Sequence, residues 1–284
     1  MIKRIDLHTH SAYSDGTLTP RELARCAYDA GLSAIALTDH DNTSGIPEFS
    51  DECESLGIEG IPGIEISAEY KRQLHIVGLY ADGEEFRSTV ARLGGARGER
   101  NRKMLDRIRG GGFDMTENDL IPDGATINTV GRMHMVKAFV KKGYVRDEAE
   151  AFEKYIGDDG EFYVKKFSLT PEDSIALIHR SGGIAIFAHP AQAADTEEEL
   201  FGLSKRLKAA GIDGMECLYS RYSPEETEMC FKIARELDIL PSGGSDFHGE
   251  NKPDVRLGRV SGGDGFVPYE YLENLRKTIK GDAA

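Results

Sequence analysis

Six short apolar runs constrain the fold of this chain more than any other feature: "AIALTDHD", "GIPGIEIS", "LHIVGLY", "GGIAIFAHP", "GIDGMECLY" and "ILPSGGSDFH". Runs of this kind read as buried strands, and helical patterns fill most of the gaps between them, so the chain reads as parallel βα units. Helix starts carry one device three times: Thr19-Pro20-Arg21-Glu22, Thr170-Pro171-Glu172-Asp173 and Ser223-Pro224-Glu225-Glu226. Each pairs a hydroxyl N-cap with proline at N1 and an acid at N3. Gly31, Gly57, Gly182 and Gly211 each precede a strand pattern, as left-handed C-caps do. The expected fold is a closed or nearly closed α/β barrel with reactive residues at the strands' C-terminal ends; a doubly wound sheet is the alternative.

From Gly94 to Ser168 the strand runs stop and helical patterns with charged faces take over. Residues 94–168 are therefore expected to form a small helical insertion subdomain, with 1–93 and 169–284 forming the barrel. The insertion is basic inside an acidic chain of formal net charge −14. Residues 97–109 carry six basic and two acidic side chains, and 131–146 carry five basic and none acidic. The acidic whole argues against duplex nucleic acid and anionic membranes as partners, so a phosphate must be captured locally. "MIKRID" leads into Asp6 and His8, not an apolar segment, and no run approaches bilayer length; a cytoplasmic protein is expected. Cys26, Cys53, Cys217 and Cys230 lack C-x-x-C spacing and read as packing residues. No oligomeric state follows from the sequence.

The costliest side chains gather at strand ends. On an extended segment His8 and His10 point to one side and can chelate one ion, an H-x-H signal that is weak alone. His40, Glu65, His189, Asp246 and His248 lie at the ends of other runs, His75 at the start of one, and Asp15 in the loop after the first strand. One such histidine reads as a satisfied core residue; the set reads as a metal site. One ion takes about four to six ligands, so nine candidates require two ions and accommodate three if Glu65 bridges. Imidazole and carboxylate ligation without thiolate suits manganese, zinc or iron.

"DLHTHSAYSDGTLTP", "LTDHDNTSG", "PGIEIS", "HIVGLY", "AHP" and "GGSDFHG" resemble, in order and across nearly the whole chain, the polymerase and histidinol phosphatase (PHP) family of metal-dependent phosphoesterases. The resemblance implies a distorted (β/α)7-type barrel with the helical insertion. It implies two to three divalent ions, manganese first, in a trinuclear arrangement: His8, His10, Glu65 and Asp246 on one ion, Glu65, His75 and His189 on a second, Asp15, His40 and His248 on a third. Glu65 and Asp246 would bridge ions or orient water, and a metal-bound hydroxide would attack phosphorus. The branch it most resembles acts on nucleotide phosphates, including nucleoside 3′,5′-bisphosphatases and 5′–3′ exonucleases of short RNA. The expected partner is thus a small phosphorylated substrate, a nucleotide or short oligonucleotide.

For phosphate binding, Gly131-Arg132-Met133-His134 opens a helix where backbone N–H groups, a guanidinium and an imidazole converge; relatives with an insertion carry a similar Gly-Arg-x-His. Arg221 follows a strand on the metal-bearing face. Arg100, Lys103 and Arg107 form a basic helical stripe, of which Lys103 is a weaker candidate. Asp6, Asp39 and Asp41 read as supporting residues, and His179 as structural. Competing readings are histidinol-phosphate hydrolysis, an amidohydrolase or deaminase, and a non-catalytic metal-binding module. The surplus ligands Asp15, His75 and His248 speak against the amidohydrolase, and the full ligand set against the module.

Overall fold

A computed structural model describes residues 3–121, 126–261 and 265–281. Its sheet contains β1 (Arg4–Asp6), β2 (Ala34–Leu37), β3 (Glu59–Ala68), β4 (Leu74–Leu79), β5 (Ile184–Ala188), β6 (Gly214–Tyr219), β7 (Leu240–Gly244) and β8 (Val267–Pro268). They order as β7-β6-β5-β4-β3-β2-β1-β8. Beyond the strands, Thr9 bridges Phe247 in parallel and Leu7 donates to the Gly243 carbonyl, so β1 and β7 approach and the sheet nearly closes into a barrel. Chain order follows sheet order from β1 to β7, as the alternation of strand and helix implies.

The expectation of uniformly parallel strands is corrected at β4, which runs antiparallel to both β3 and β5. Residues 69–73 alone join β3 to β4, and a link that short makes a hairpin, since a parallel return needs a crossover of a dozen or more residues. The short edge strand β8, antiparallel to β1, was not foreseen. Its two residues carry no periodicity to read.

Helices α1 (Pro20–Asp29), α2 (Ile46–Leu56), α6 (Pro171–Arg180), α7 (Glu197–Ala209) and α8 (Pro224–Glu236) surround the sheet. Thr19, Thr170 and Ser223 cap α1, α6 and α8, each accepting the N3 backbone N–H. Gly31, Gly57, Gly182 and Gly211 all have positive φ. Inside the barrel Ile5, Ala36, Val77 and Ile186 meet. Leu272 and Leu275 of α9 (Tyr269–Gly281) join that cluster, and Leu275 adjoins Gly214 at the start of β6, closing the end opposite the strand tips.

Helix α3 (Glu84–Gly110) links the barrel to the inserted helical segment. Phe86, Val90 and Leu93 pack into the barrel-side core, whereas Met104, Leu105 and Ile108 pack into a separate core with Met135, Phe139, Ile156 and Phe162. The boundary drawn at Gly94 falls within this continuous helix. The second core also takes α4 (Arg132–Lys141) and α5 (Glu148–Ala151). Among the described residues, no helix is long and apolar enough to cross a membrane.

Candidate metal centre

The strand tips keep pairing past the regular sheet, and this positions the candidate ligands. Asp246 donates its backbone N–H to the His8 carbonyl (2.8 Å) and His10 to that of Phe247 (2.9 Å). On the other flank His40 bridges Glu65, with Glu65 N donating to Asp39 O (3.2 Å) and Asp41 N to Glu65 O (3.0 Å). His75 is the second residue of β4; because that strand is reversed, its beginning lies at the same end as the last residues of its neighbours. Asp15 reaches in from its loop, which Asn251 ties down by donating Nδ2 to the Asp15 carbonyl (2.7 Å). Asp41, His189 and Asp246 have φ of 49°, 29° and 55°, a left-handed region that non-glycine residues rarely occupy. Strain of this kind clusters at functional sites.

All nine predicted ligands come together. Glu65 divides the histidines between its oxygens: Oε1 lies 2.7 Å from His75 Nδ1 and 3.0 Å from His189 Nε2. Oε2 lies 2.9 Å from His40 Nδ1, 3.2 Å from His10 Nε2 and 3.3 Å from His8 Nε2. Asp246 Oδ1 faces His10 (3.3 Å) and His248 (3.4 Å), and Asp15 Oδ1 faces His248 Nε2 (3.1 Å). Four overlapping groups have ligand atoms within 4.8 Å of one another: His10, Asp15, His40 and His248; His8, His10 and Asp246; His8, Glu65 and His189; and His40, Glu65 and His75.

These residues fit divalent ions. His8 Nε2, His10 Nε2, His40 Nδ1, Asp15 Oδ1 and Glu65 Oε2 are buried yet make no hydrogen bond. An orphaned buried polar atom costs about 1–3 kcal/mol, and five converging on one spot are what cations satisfy. Burial pushes His75 down to about 4, leaving a neutral imidazole for a ligand. Burial also works against the Asp15, Glu65 and Asp246 carboxylates, but the imidazoles around them, and Lys252 beside Asp246, hold all three well below the usual range. Against burial, Glu65, Glu216 and Asp246 hold His8 well up, and Asp246 and Glu65 hold His10 up to about 9, so an ion bound there displaces protons to reach the ligating state of ionised carboxylates and neutral imidazoles.

A supporting shell holds the candidate ligands. Asp6 accepts N–H groups from Ser245 (2.9 Å) and Gly258 (2.8 Å), and Asp39 accepts from Ser11 N (2.8 Å) and Ser14 Oγ (2.5 Å). Three partners were missed from the sequence. Glu216, buried in β6, places Oε1 3.2 Å from His8 Nδ1 and accepts the His189 N–H on Oε2 (2.6 Å). Tyr219 donates its hydroxyl to Asp246 (2.8 Å), and Lys252 pairs with the same carboxylate. A carboxylate inside the apolar run "GMECLY" was the available signal for Glu216. His179 pairs with Asp213 (2.8 Å), in keeping with its structural reading.

The phosphate-binding candidates separate. His134 Nδ1 accepts the Gly131 N–H (3.0 Å), and a Cβ built on Gly131 would lie 3.8 Å from Asp15 Oδ2, so this helix start adjoins the metal centre. Arg132 pairs with Asp158 (2.7 Å) above the rings of Phe152 and Tyr163. Arg221 forks onto Asp254 (2.9 and 2.6 Å) and feels the Asp246 charge. Lys103 is exposed and pairs with Glu99 one turn away, and nothing described brings it to the site. The basic stripe of α3 is also corrected: Arg107 is exposed, but Arg100 is buried, because it faces the inner side of the helix with Asn101 and Met104.

The PHP domain model matches residues 6–160 of the chain. The 5′-3′ exoribonuclease of Haemophilus influenzae is 36% identical over 255 residues, covering 87% of this chain and 91% of its own. The 3′,5′-nucleoside bisphosphate phosphatase of Chromobacterium violaceum is 31% identical over 256 residues, covering 88% and 90%. The crystal structure of a Bifidobacterium adolescentis protein assigned as a metal-dependent phosphoesterase superposes with a TM-score of 0.81 at 29% identity, over 96% of this chain and 95% of that one.

Proposed function

Because the chain belongs to the PHP domain family of metal-dependent phosphoesterases, we propose that it hydrolyses a phosphomonoester of a nucleotide, a nucleoside bisphosphate or monophosphate, or acts at the 5′ end of a short oligonucleotide. The carrying observation is the convergence of six histidines on Glu65, Asp15 and Asp246, with five of the facing atoms left without a hydrogen bond. The activities for which the two relatives are named, on RNA and on nucleoside bisphosphates, support the nucleotide class.

In this reading His8, His10, Glu65 and Asp246 hold one ion, Glu65, His75 and His189 a second, and Asp15, His40 and His248 a third. Manganese is the proposed metal, with zinc or iron next. Bound ions of this kind supply a water-derived nucleophile at neutral pH and offset phosphoryl charge. The protein's own part is orientation. Glu216 and Asp6 fix the His8 segment, Asp39 fixes the Ser11–Ser14 turn, and Tyr219 holds Asp246. Arg132, His134 and Arg221 grip the phosphate, and the 94–168 subdomain presents the first two. The same proposal includes a small phosphorylated partner and a cytoplasmic location.

Metal analysis of the purified protein, combined with a screen of nucleoside bisphosphates, nucleoside monophosphates, short 5′-phosphorylated RNAs and histidinol phosphate, tests it. Two or three tightly held ions per chain and a nucleotide preference are expected. Protein that holds no metal after exposure to manganese, zinc or iron, or prefers histidinol phosphate by orders of magnitude in kcat/KM, refutes it.

A further inference from the structure

Of the three carboxylates in the proposed ligand set, Asp15 is the least anchored. Glu65 lies within β3, and Asp246 is held by Tyr219, by Lys252 and by backbone pairing to His8. Asp15 lies in the loop after β1 with its side chain 21% exposed. Among the described residues, the hydrogen bond from Asn251 Nδ2 (2.7 Å) is the only one that reaches its backbone. Asn251 has a second partner, because its Oδ1 accepts from Lys137 Nζ (2.5 Å). Among the described residues this is the only hydrogen bond between α4 and the barrel. A side-chain amide suits such a relay, since it donates from one side and accepts on the other.

The turn that carries Asn251, Gly249–Asn251, is stitched to the same loop. Glu250 donates its N–H to Thr17 Oγ1 (3.0 Å), and a Cβ on Gly249, whose φ is 64°, would collide with that oxygen. Lys252, next in the chain, pairs with Asp246. One turn therefore touches the Asp15 loop, the Asp246 carboxylate and the inserted subdomain. Asp15 in turn aims a buried oxygen, Oδ1, without a hydrogen bond at the space facing His248 Nε2 (3.1 Å). A ligand must be held to within about 0.5 Å to bind well, and a loop carboxylate gains that precision only from its outer contacts. Any such dependence runs both ways, since coupling between two sites is reciprocal in free energy.

We propose that Lys137 and Asn251 are positioning residues that couple docking of the inserted helical subdomain to binding of the ion at Asp15. The subdomain, seated through Lys137, fixes Asn251 and so Asp15, and the bound ion in return steadies α4. This rests on the ligand assignment proposed above and adds control of one ion by the insertion.

The test uses the full chain, stripped of metal and titrated with manganese alone against a competing chelator. In Asn251→Ala one ion per chain binds about 10–100-fold more weakly, the usual loss for a ligand's outer partner, while the others are held as in wild type. Lys137→Met, at a half-buried position, weakens the same ion and serves if Asn251→Ala does not fold; Lys137→Arg, which keeps a donor, restores it. Hydrogen exchange reads the converse: manganese slows exchange over residues 132–141 in wild type, and the slowing is smaller in Lys137→Met. Unchanged retention of every ion in Lys137→Met, equal weakening of all ions, or undiminished protection of 132–141 overturns the coupling. If the wild type holds no manganese, the ligand assignment fails separately. Exchange over residues 11–17 of the metal-free chain then decides the relay, with equal rates in Lys137→Met and wild type counting against it.

Discussion

Replacing Asp41 with asparagine removes a charge that two elements of the fold depend on. The side chain is fully buried, and Oδ2 meets Arg97 at 2.5 Å and Lys166 at 2.8 Å, while Oδ1 accepts the Ser67 N–H at 3.0 Å. The Arg97 and Lys166 side chains are 7% and 13% exposed, so solvent screens little of the interaction. Asparagine can keep the Ser67 bond but leaves two cations facing each other, and breaking a buried pair from one side costs about 3–5 kcal/mol. At about 2 °C or more per kcal/mol for a domain this large, the melting temperature should fall by at least about 6 °C. The assay is thermal unfolding of wild type and Asp41→Asn followed by circular dichroism.

Burial opposes ionisation of Asp41, but Lys166 and Arg97 hold its carboxyl far below the ordinary 3.8. A depressed carboxyl contributes stability that is present above its unfolded pKa and lost as pH falls toward the folded one. The difference between wild type and variant should therefore be the same at pH 7 and pH 5 and narrow only below about pH 3.8. A shift under 2 °C, or a difference that already narrows between pH 7 and 5, refutes the assignment of Asp41 as the shared counter-ion.

Three further substitutions probe the metal centre. His40→Ala should lower the metal content of the purified protein and reduce turnover steeply; elemental analysis showing unchanged metal with full activity would remove His40 from the ligand set. Glu216→Gln, which loses the charge facing His8 Nδ1, should weaken metal affinity by about 10–100-fold in chelator competition while leaving the fold intact by circular dichroism. In Gly244→Ala the new Cβ would come within 2.3 Å of the His8 Cβ, so the β1 tip must shift; a stability loss of about 1–3 kcal/mol and reduced metal retention are expected, and wild-type values for both would contradict the close approach.

Local chemistry made much of this protein legible. The hydroxyl-proline-acid sequences at Thr19, Thr170 and Ser223 cap helices because an N-cap acts within four residues. The buried strands read directly because they are apolar on both faces. The nine candidate ligands could be counted because polar residues beside such runs are expensive without a reason. The basic stripe of α3 misled in part, since spacing shows that Arg100 and Lys103 are neighbours on a helix but not which of them faces inward.

The sequence by itself thus determined the alternation of strands and helices, the helix ends and the inventory of candidate ligands, all of which depend on residues close together in the chain. Tertiary structure alone decided that β4 is reversed, which brings His75 from the start of its run to the same tip as His40 and His189. It also decided that Glu216 stands behind His8 and that Asp41 serves Arg97 and Lys166 together. Strand direction and register are set by pairings between distant segments, and a buried charge acquires its partner only when those segments meet.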